Sequence, residues 1–319
     1  MSNKPELNLI FSEINKVIIG KSEVVEQIFM AMLTGGHILL DDVPGVGKTT
    51  MAVAISNVLG LNYRRIQFTP DVLPSDITGF SIYNKQTGAF EYMPGVIIDA
   101  NILLGDEINR TSSKTQSALL EAMEEGQVTV DGISHTLKKP FIVIATQNNV
   151  GTAGTQPLPY AQLDRFLIRL TIGYPNFEDQ MAIMRDRQTV NPLDSVRRVI
   201  DINDLTQMQW DVVNVTVKDS ILEYITHLTI ATREHNMVEL GVSPRGAISI
   251  NKMAKAHAYI KGRDYVIPED VCSVFHNVCA HRIILNQKAK LEKITVKQIL
   301  NSILKDVKIP DSLKIKVNK

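Results

Sequence analysis

The stretch DVPGVGKT, residues 42–49, joins a candidate strand, HILLD, to a candidate helix. A phosphate loop reads Gly-x-x-x-x-Gly-Lys-Ser/Thr in that setting. Gly47, Lys48 and Thr49 are in place, Gly45 adds a second flexible point, and Asp42 stands where the first glycine is expected. With no side chain at Gly45 and Gly47, backbone N–H groups can come up to phosphate oxygens. The start of the following helix adds positive dipole charge. Lys48 would reach the β and γ phosphates of a nucleotide and Thr49 would hold Mg2+. The cradle as a whole would be Pro44, Gly45, Val46, Gly47, Lys48, Thr49 and Thr50. A Gly-rich turn with a chance lysine fits the bare pattern too, but the strand before and the helix after favour the phosphate reading.

A second constellation ends the apolar run 101–106, NILLGD, in Asp106-Glu107. Asp106 at a strand's carboxyl end can bind Mg2+, usually through water, and Glu107 can take a proton from an attacking water. Run 140–146, PFIVIAT, ends in Gln147-Asn148. Asn148 could orient that water between Asp106 and the γ phosphate, or could simply be a turn residue.

These groups converge only if the strands are parallel neighbours, because ligands bind at the carboxyl ends of such strands. The first half alternates apolar runs with helical patterns, as a parallel α/β sheet requires. The expected strands are 37–41, 62–68, 101–106, 140–146 and 166–172, with helices at 22–34, 48–59 and 113–125. Two stretches break the alternation and read as inserted hairpins: 79–95, turning near Thr87-Gly88, and 127–138, turning at Asp131-Gly132. Beyond Gly173-Tyr174-Pro175 the pattern is helical: 178–189, 219–235, 244–260, 268–284 and 295–306. The expected division is an α/β nucleotide-binding unit over 1–175 and a helical unit over 176–319.

Composition agrees with a folded, two-unit chain. Its 319 residues are 44% hydrophobic and 21% charged, which excludes disordered and collagen-like classes. The longest apolar run is Ile28 to Leu33, far short of the ~20 residues of a membrane span. The opening MSNKPELNLIFSEI lacks the apolar stretch of a leader. Cys272 and Cys279 form neither a disulfide framework nor a zinc site, so a cytoplasmic protein with reduced thiols is expected. His37 and His135 have no partners at metal spacing and are expected in core or surface roles. The net charge of zero divides into −4 over 1–175 and +4 over 176–319, with nine Lys from Lys288 to Lys319. That basic end has neither Arg nor aromatic residues for base stacking and reads as a solvated face.

Taken together, DVPGVGKT, FTPDVLPSDITG, ILLGDEINR, KTQSALLEAMEEGQVT, ATQN, LPYAQLDRF, SPRGA and GRDYVIPEDV resemble the AAA+ ATPases, specifically the MoxR subfamily. The resemblance runs from about Val17 to Pro310. It implies a P-loop core with a five-stranded parallel sheet and a small helical lid, ATP and Mg2+ as cofactors, and a homo-oligomeric ring, by precedent a hexamer. It also implies residue roles. Ile18, Ile19 and Gly20 would lie against adenine; Lys48 and Thr49 match Walker A, Asp106 and Glu107 Walker B, and Asn148 sensor 1. Arg165 matches the arginine finger that acts on the neighbour's nucleotide, with Arg110 as a rival. Arg245 matches sensor 2, carried by the lid. The two hairpins match the insertions typical of this branch. Asp42 in place of the first Walker A glycine is common in the subfamily.

The function so implied is ATP-driven, chaperone-like remodelling or maturation of protein clients, among which von Willebrand factor A domain proteins would be separate chains. Two other readings compete. A nucleic-acid motor shares the core, but zero net charge, 6% aromatic residues and no recognition domain argue against nucleic acid as partner. A nucleotide-gated binding module would better suit a chain lacking Glu107 or Asn148. No Ser-His-Asp site is expected, because no Gly-x-Ser-x-Gly occurs, and no Asn/Thr-Lys-x-Asp signal points to guanine.

Overall fold

The computed structural model describes residues 5–148, 156–188 and 191–310. Its centre is a five-stranded parallel sheet built from β1 (Ile38–Asp41), β2 (Tyr63–Gln67), β5 (Ile102–Asp106), β8 (Ile142–Gln147) and β9 (Ile168–Leu170), in the order β2-β5-β8-β1-β9. The other numbered strands are the hairpins: β3 (Gly79–Asn84) with β4 (Ala89–Pro94), and β6 (Gln127–Val130) with β7 (Ile133–Thr136). All five core strands and both hairpins fall where the residue pattern puts them. The Asp131-Gly132 turn has both residues at positive φ, 50° and 79°, the combination a tight two-residue hairpin needs.

Side chains alternate across the sheet and separate two cores. Leu39, Leu103, Val143 and Ala145 face one, which also takes Leu119, Leu120 and Met123 of helix Ser113–Glu125. Leu40, Leu104, Ile144 and Leu170 face the other. That second core continues through helices Pro5–Asn15, Ser22–Leu33 and Lys48–Val58 into the helices of the second half, without a break at residue 175.

After β9 the described chain is helical apart from a short strand pair, Val238–Leu240 with Ile284–Leu285. Helices Phe177–Asp186, Asp219–Glu234, Pro244–Ile260 and Val296–Asp306 match expectation, although residue 189 lies outside the described residues. The helix expected over 268–284 is shorter. It runs Pro268–Cys279, passes through a 3-10 turn at Ala280–Arg282, and Ile284 then pairs with Leu240. The break lets buried Arg282 donate to the carbonyls of Phe166 (2.7 Å) and Leu167 (3.1 Å) and to Asp164 Oδ1 (2.6 Å). Helices Pro5–Asn15 and Ile202–Val213 are additional to the expected set. Of the basic end, residues 311–319 lie outside the described residues. No described helix is long and apolar enough to cross a membrane.

Candidate active site

The loop between β1 and helix Lys48–Val58 turns on two glycines at positive φ, Gly45 (83°) and Gly47 (94°). Neither is crowded: a Cβ would meet nothing within 4 Å. Backbone conformation, not space, is what demands glycine there. Lys48 Nζ folds back onto the loop, donating to the carbonyls of Asp42 (3.0 Å) and Val43 (3.3 Å). Asp42 has a structural task. Its buried carboxylate accepts the N–H of Val43 (2.9 Å) through Oδ1, and the N–H groups of Ile172 and Gly173 (2.8 Å) through Oδ2. The entrance of the loop is thereby tied to the chain leaving β9.

Two strands away, β5 delivers Asp106 and Glu107 to the same sheet edge. Asp106 is buried, and both its oxygens are engaged: Thr146 Oγ1 donates to Oδ1 (3.1 Å) and Arg65 Nε donates to Oδ2 (2.8 Å). Thr146, on β8, also accepts the Glu107 N–H (2.9 Å), so one hydroxyl positions both acids. Glu107 sits at φ 56°, ψ 50°, a left-handed conformation rare outside glycine and asparagine. Such a conformation costs of order 1 kcal/mol and persists where surrounding bonds enforce it. Here those bonds are Thr146 on the backbone, and Gln67 Nε2 (3.1 Å) and Arg110 NH1 (3.0 Å) on side-chain Oε2.

Loop and acids line one open cavity of about 370 Å³. Its walls include Pro44, Gly45, Gly47, Lys48, Thr49, Thr50, Asp106, Glu107 and Thr146. The Thr49 hydroxyl and the Asp106 carboxylate are hard oxygen donors on this cavity, and Asp106 Oδ2 already holds a cationic group, Arg65. That donor set fits Mg2+, which takes one or two protein oxygens and fills its shell with phosphate and water. Among the described residues no cluster of three or more His, Cys, Asp or Glu could hold a metal by itself.

Other expected site residues lie outside this lining. Val46 and Ile18 are packed into the core, Ile19 is half-buried, and Gly20 is exposed at φ 72°. Asn148 is held at its backbone carbonyl by Asn109 Nδ2 (3.1 Å). Arg110 is committed to Glu107 of its own chain. Arg165 and Arg245 are brought together by a residue that sequence reasoning missed, Glu124. Its Oε2 meets Arg165 Nε at 3.1 Å and its Oε1 meets Arg245 NH2. The three line a second cavity of about 220 Å³ that shares no lining residue with the first.

Arg65, Gln67, Thr146 and exposed Arg187 also line the first cavity and were not expected. β2 carried a signal: unlike the apolar runs of the inner strands, Tyr63–Gln67 is YRRIQ, a polar edge strand with Arg64, Arg65 and Gln67 exposed. His37 is a core residue. Its Nε2 donates to the Met123 carbonyl (3.0 Å), its Nδ1 accepts the Val143 N–H (3.0 Å), and burial lowers its pKa to about 4. His135 stacks on Tyr92, 3.7 Å between ring centroids, and so joins the two hairpins. Both cysteines are free; burial pushes the Cys279 thiol well up.

Residues 37–168 match the profile of the ATPase family associated with various cellular activities (AAA), and residues 230–303 match the AAA lid domain. Chaperone MoxR1 of Mycobacterium tuberculosis is 38% identical, over 93% of this chain and 81% of its own. YeaC of Bacillus subtilis is 49% identical, over 96% of this chain and 95% of its own. A crystal structure from Cytophaga hutchinsonii, of a protein assigned as an ATPase, superposes with a TM-score of 0.89 at 39% identity, covering 96% and 95% of the two chains. With the phosphate loop, paired acids and helical lid of this fold in one chain, and relatives at these identities along nearly its whole length, the protein belongs to the MoxR family of AAA+ ATPases.

Proposed function

We propose that the chain is the subunit of a homo-oligomeric ring, a hexamer by family precedent, that hydrolyses Mg·ATP to remodel or mature protein clients. The carrying observation is a separation. Lys48, Thr49, Asp106 and Glu107 gather around one cavity, while Arg165 and Arg245 are paired at Glu124 around another. Arg65 and Arg187 line the first cavity from the same chain, but Arg65 is engaged by Asp106, so we assign the guanidinium at the departing γ phosphate to Arg165 of a neighbouring subunit. A head-to-tail contact of that kind closes into a ring when its rotation allows.

In this reading Lys48 leaves the Asp42 and Val43 carbonyls for the β and γ phosphates, and the Gly45–Thr49 backbone cradles them. Thr49 and Asp106 would hold Mg2+, which when bound neutralises phosphate charge. Glu107 takes the proton of the attacking water, and Asn148 orients that water. Ile18, Ile19 and Gly20 border the adenine. We place the junction of core and lid at 174–176; lid motion would work the two hairpins against a client. The hairpins suit that task, because Phe80, Ile82, Phe90 and Ile133 stand largely exposed on them. The name of the relative chaperone MoxR1 supports a protein client over nucleic acid, and a von Willebrand factor A domain protein is a candidate.

The test is ATP turnover per subunit over a wide range of protein concentration. A specific rate that climbs and then levels is expected; measurable turnover that stays flat down to concentrations where sizing gives monomer would refute a site shared between subunits.

A further inference from the structure

Arg65 is on no part of the proposed hydrolytic pathway, yet it is bound to the centre of it. β2 and β5 are paired with Gln67 opposite Asp106 and Arg65 opposite Leu104. Arg65 is thus the diagonal neighbour of Asp106 on one face of the sheet, within reach of a long side chain. Its Nε and NH2 both lie 2.8 Å from Asp106 Oδ2. Its NH2 also donates to Gln67 Oε1 (3.1 Å), and Gln67 Nε2 donates onward to Glu107 Oε2. The guanidinium is half-exposed and lines the phosphate cavity, while the carboxylate beneath it is buried.

We propose that Arg65 is the resident cation of Asp106: it neutralises the carboxylate while no metal is present and yields Oδ2 when Mg2+ arrives with the nucleotide. The inference rests on the reading of this cavity as the nucleotide site. Its physical basis is charge. Asp106 and Glu107 face the place where a polyanion must sit, and a bare carboxylate there would repel it. Arg65 cancels one of those charges in advance. Mg2+, or the water through which Asp106 would hold it, would then compete with Arg65 for Oδ2, which raises the metal concentration needed. Gln67 Oε1 gives the displaced guanidinium an acceptor it already uses, so the exchange requires only a side-chain shift. Arg65 is therefore a positioning residue that sets how strongly nucleotide binding depends on metal.

The test is the affinity of the full chain for a fluorescent ADP, measured in EDTA and across a Mg2+ titration. Arg65→Gln should weaken metal-free binding by roughly five-fold, in line with loss of about 1 kcal/mol from a half-exposed charge pair. The same variant should need less Mg2+ for half-maximal enhancement, so the ratio of metal-free to metal-bound Kd grows. Arg65→Lys, which keeps the charge, should lie near the wild type. The double variant Arg65→Gln, Asp106→Asn, which removes both charges, should bind ADP in EDTA about as the wild type does. Equal weakening with and without Mg2+, or no change in either, would overturn the proposal. If Arg65→Gln fails to fold, the Arg65→Lys and Asp106→Asn chains decide it: the metal-free affinity of Asp106→Asn must match or exceed that of the wild type. A wild-type chain that binds no ADP, or a Lys48→Ala chain that binds it normally, would overturn the nucleotide site itself.

Discussion

Asp42 Oδ2 accepts the backbone N–H of Gly173 at 2.8 Å, across 131 residues of sequence. The departure from the usual phosphate-loop pattern is thus a structural tie. It holds the loop's entrance against the exit of β9 and satisfies three N–H groups with one buried carboxylate.

Restoring the usual glycine should therefore harm the protein. Asp42→Gly leaves the N–H groups of Ile172 and Gly173 without their acceptor, at about 1–3 kcal/mol for each buried group left unsatisfied. We expect a lower midpoint in urea by an amount equivalent to about 2 kcal/mol or more, with Asp42→Asn losing less. An unchanged midpoint for Asp42→Gly would show that the tie contributes nothing.

Lys48→Ala should abolish nucleotide binding, measured by titration with fluorescent ATP. Glu107→Gln should retain binding but lose roughly 10²–10⁴-fold in turnover, the usual worth of a positioned general base. Turnover within a few-fold of wild type would remove Glu107 from that role.

Acid should destabilise the protein through its buried histidines. His37 is held neutral, with a folded pKa of about 4 against an ordinary 6.5, because burial disfavours its charged form. The same cause, joined by the neighbouring Arg282 charge, keeps His281 well below its ordinary value. The unfolded chain takes up these protons first as pH falls. The stabilisation is full above pH 6.5 and drains away toward pH 4, by about 3 kcal/mol for His37 alone. Thermal melts from pH 7.5 to 4.5 should show a steeper decline for wild type than for His37→Asn; parallel declines would refute the assignment.

The GRDYVIPEDV segment owes its pattern to an ion pair around buried Asp270. Asp270, fully buried, pairs with Arg263 NH1 (2.7 Å) and NH2 and with His257 Nδ1 (2.6 Å), and accepts the Ile267 N–H (2.8 Å). Burial alone would raise its pKa, but these partners outweigh it and hold the carboxyl below the usual range. Asp270→Asn should cost about 3 kcal/mol, because the fully buried carboxylate loses its charge pair with half-buried Arg263. A loss under about 1 kcal/mol by urea denaturation would contradict this.

Much of this was legible in the residues, and the reasons are local. The five strands announced themselves as short apolar runs between turn residues, and the hairpins by Asp131-Gly132 and Thr87-Gly88. Helix Ile202–Val213 carried a readable signal as well: Asp201 and Asp204 form a capping box, and Leu205, Met208 and Val212 share a face. The end of helix Pro268–Cys279 had no local sign, since neither Gly nor Pro marks it; Arg282's need to reach Asp164 and the β9 approach sets it. The pairs that shape the site were equally hidden. Arg65 with Asp106, and Glu124 with Arg245, are 41 and 121 residues apart, and only the folded sheet and docked lid bring them together.

The central claim is that each active site is completed by a neighbour. Its most direct test mixes two inactive chains: Arg165→Ala, which keeps an intact phosphate cavity, and Lys48→Ala, which keeps an intact arginine. Each alone should hydrolyse ATP poorly. Mixed and allowed to exchange, they should recover a substantial fraction of wild-type turnover, because an intact arginine then faces an intact cavity at some interfaces. No recovery in rings shown by native mass spectrometry to contain both chains would contradict the account.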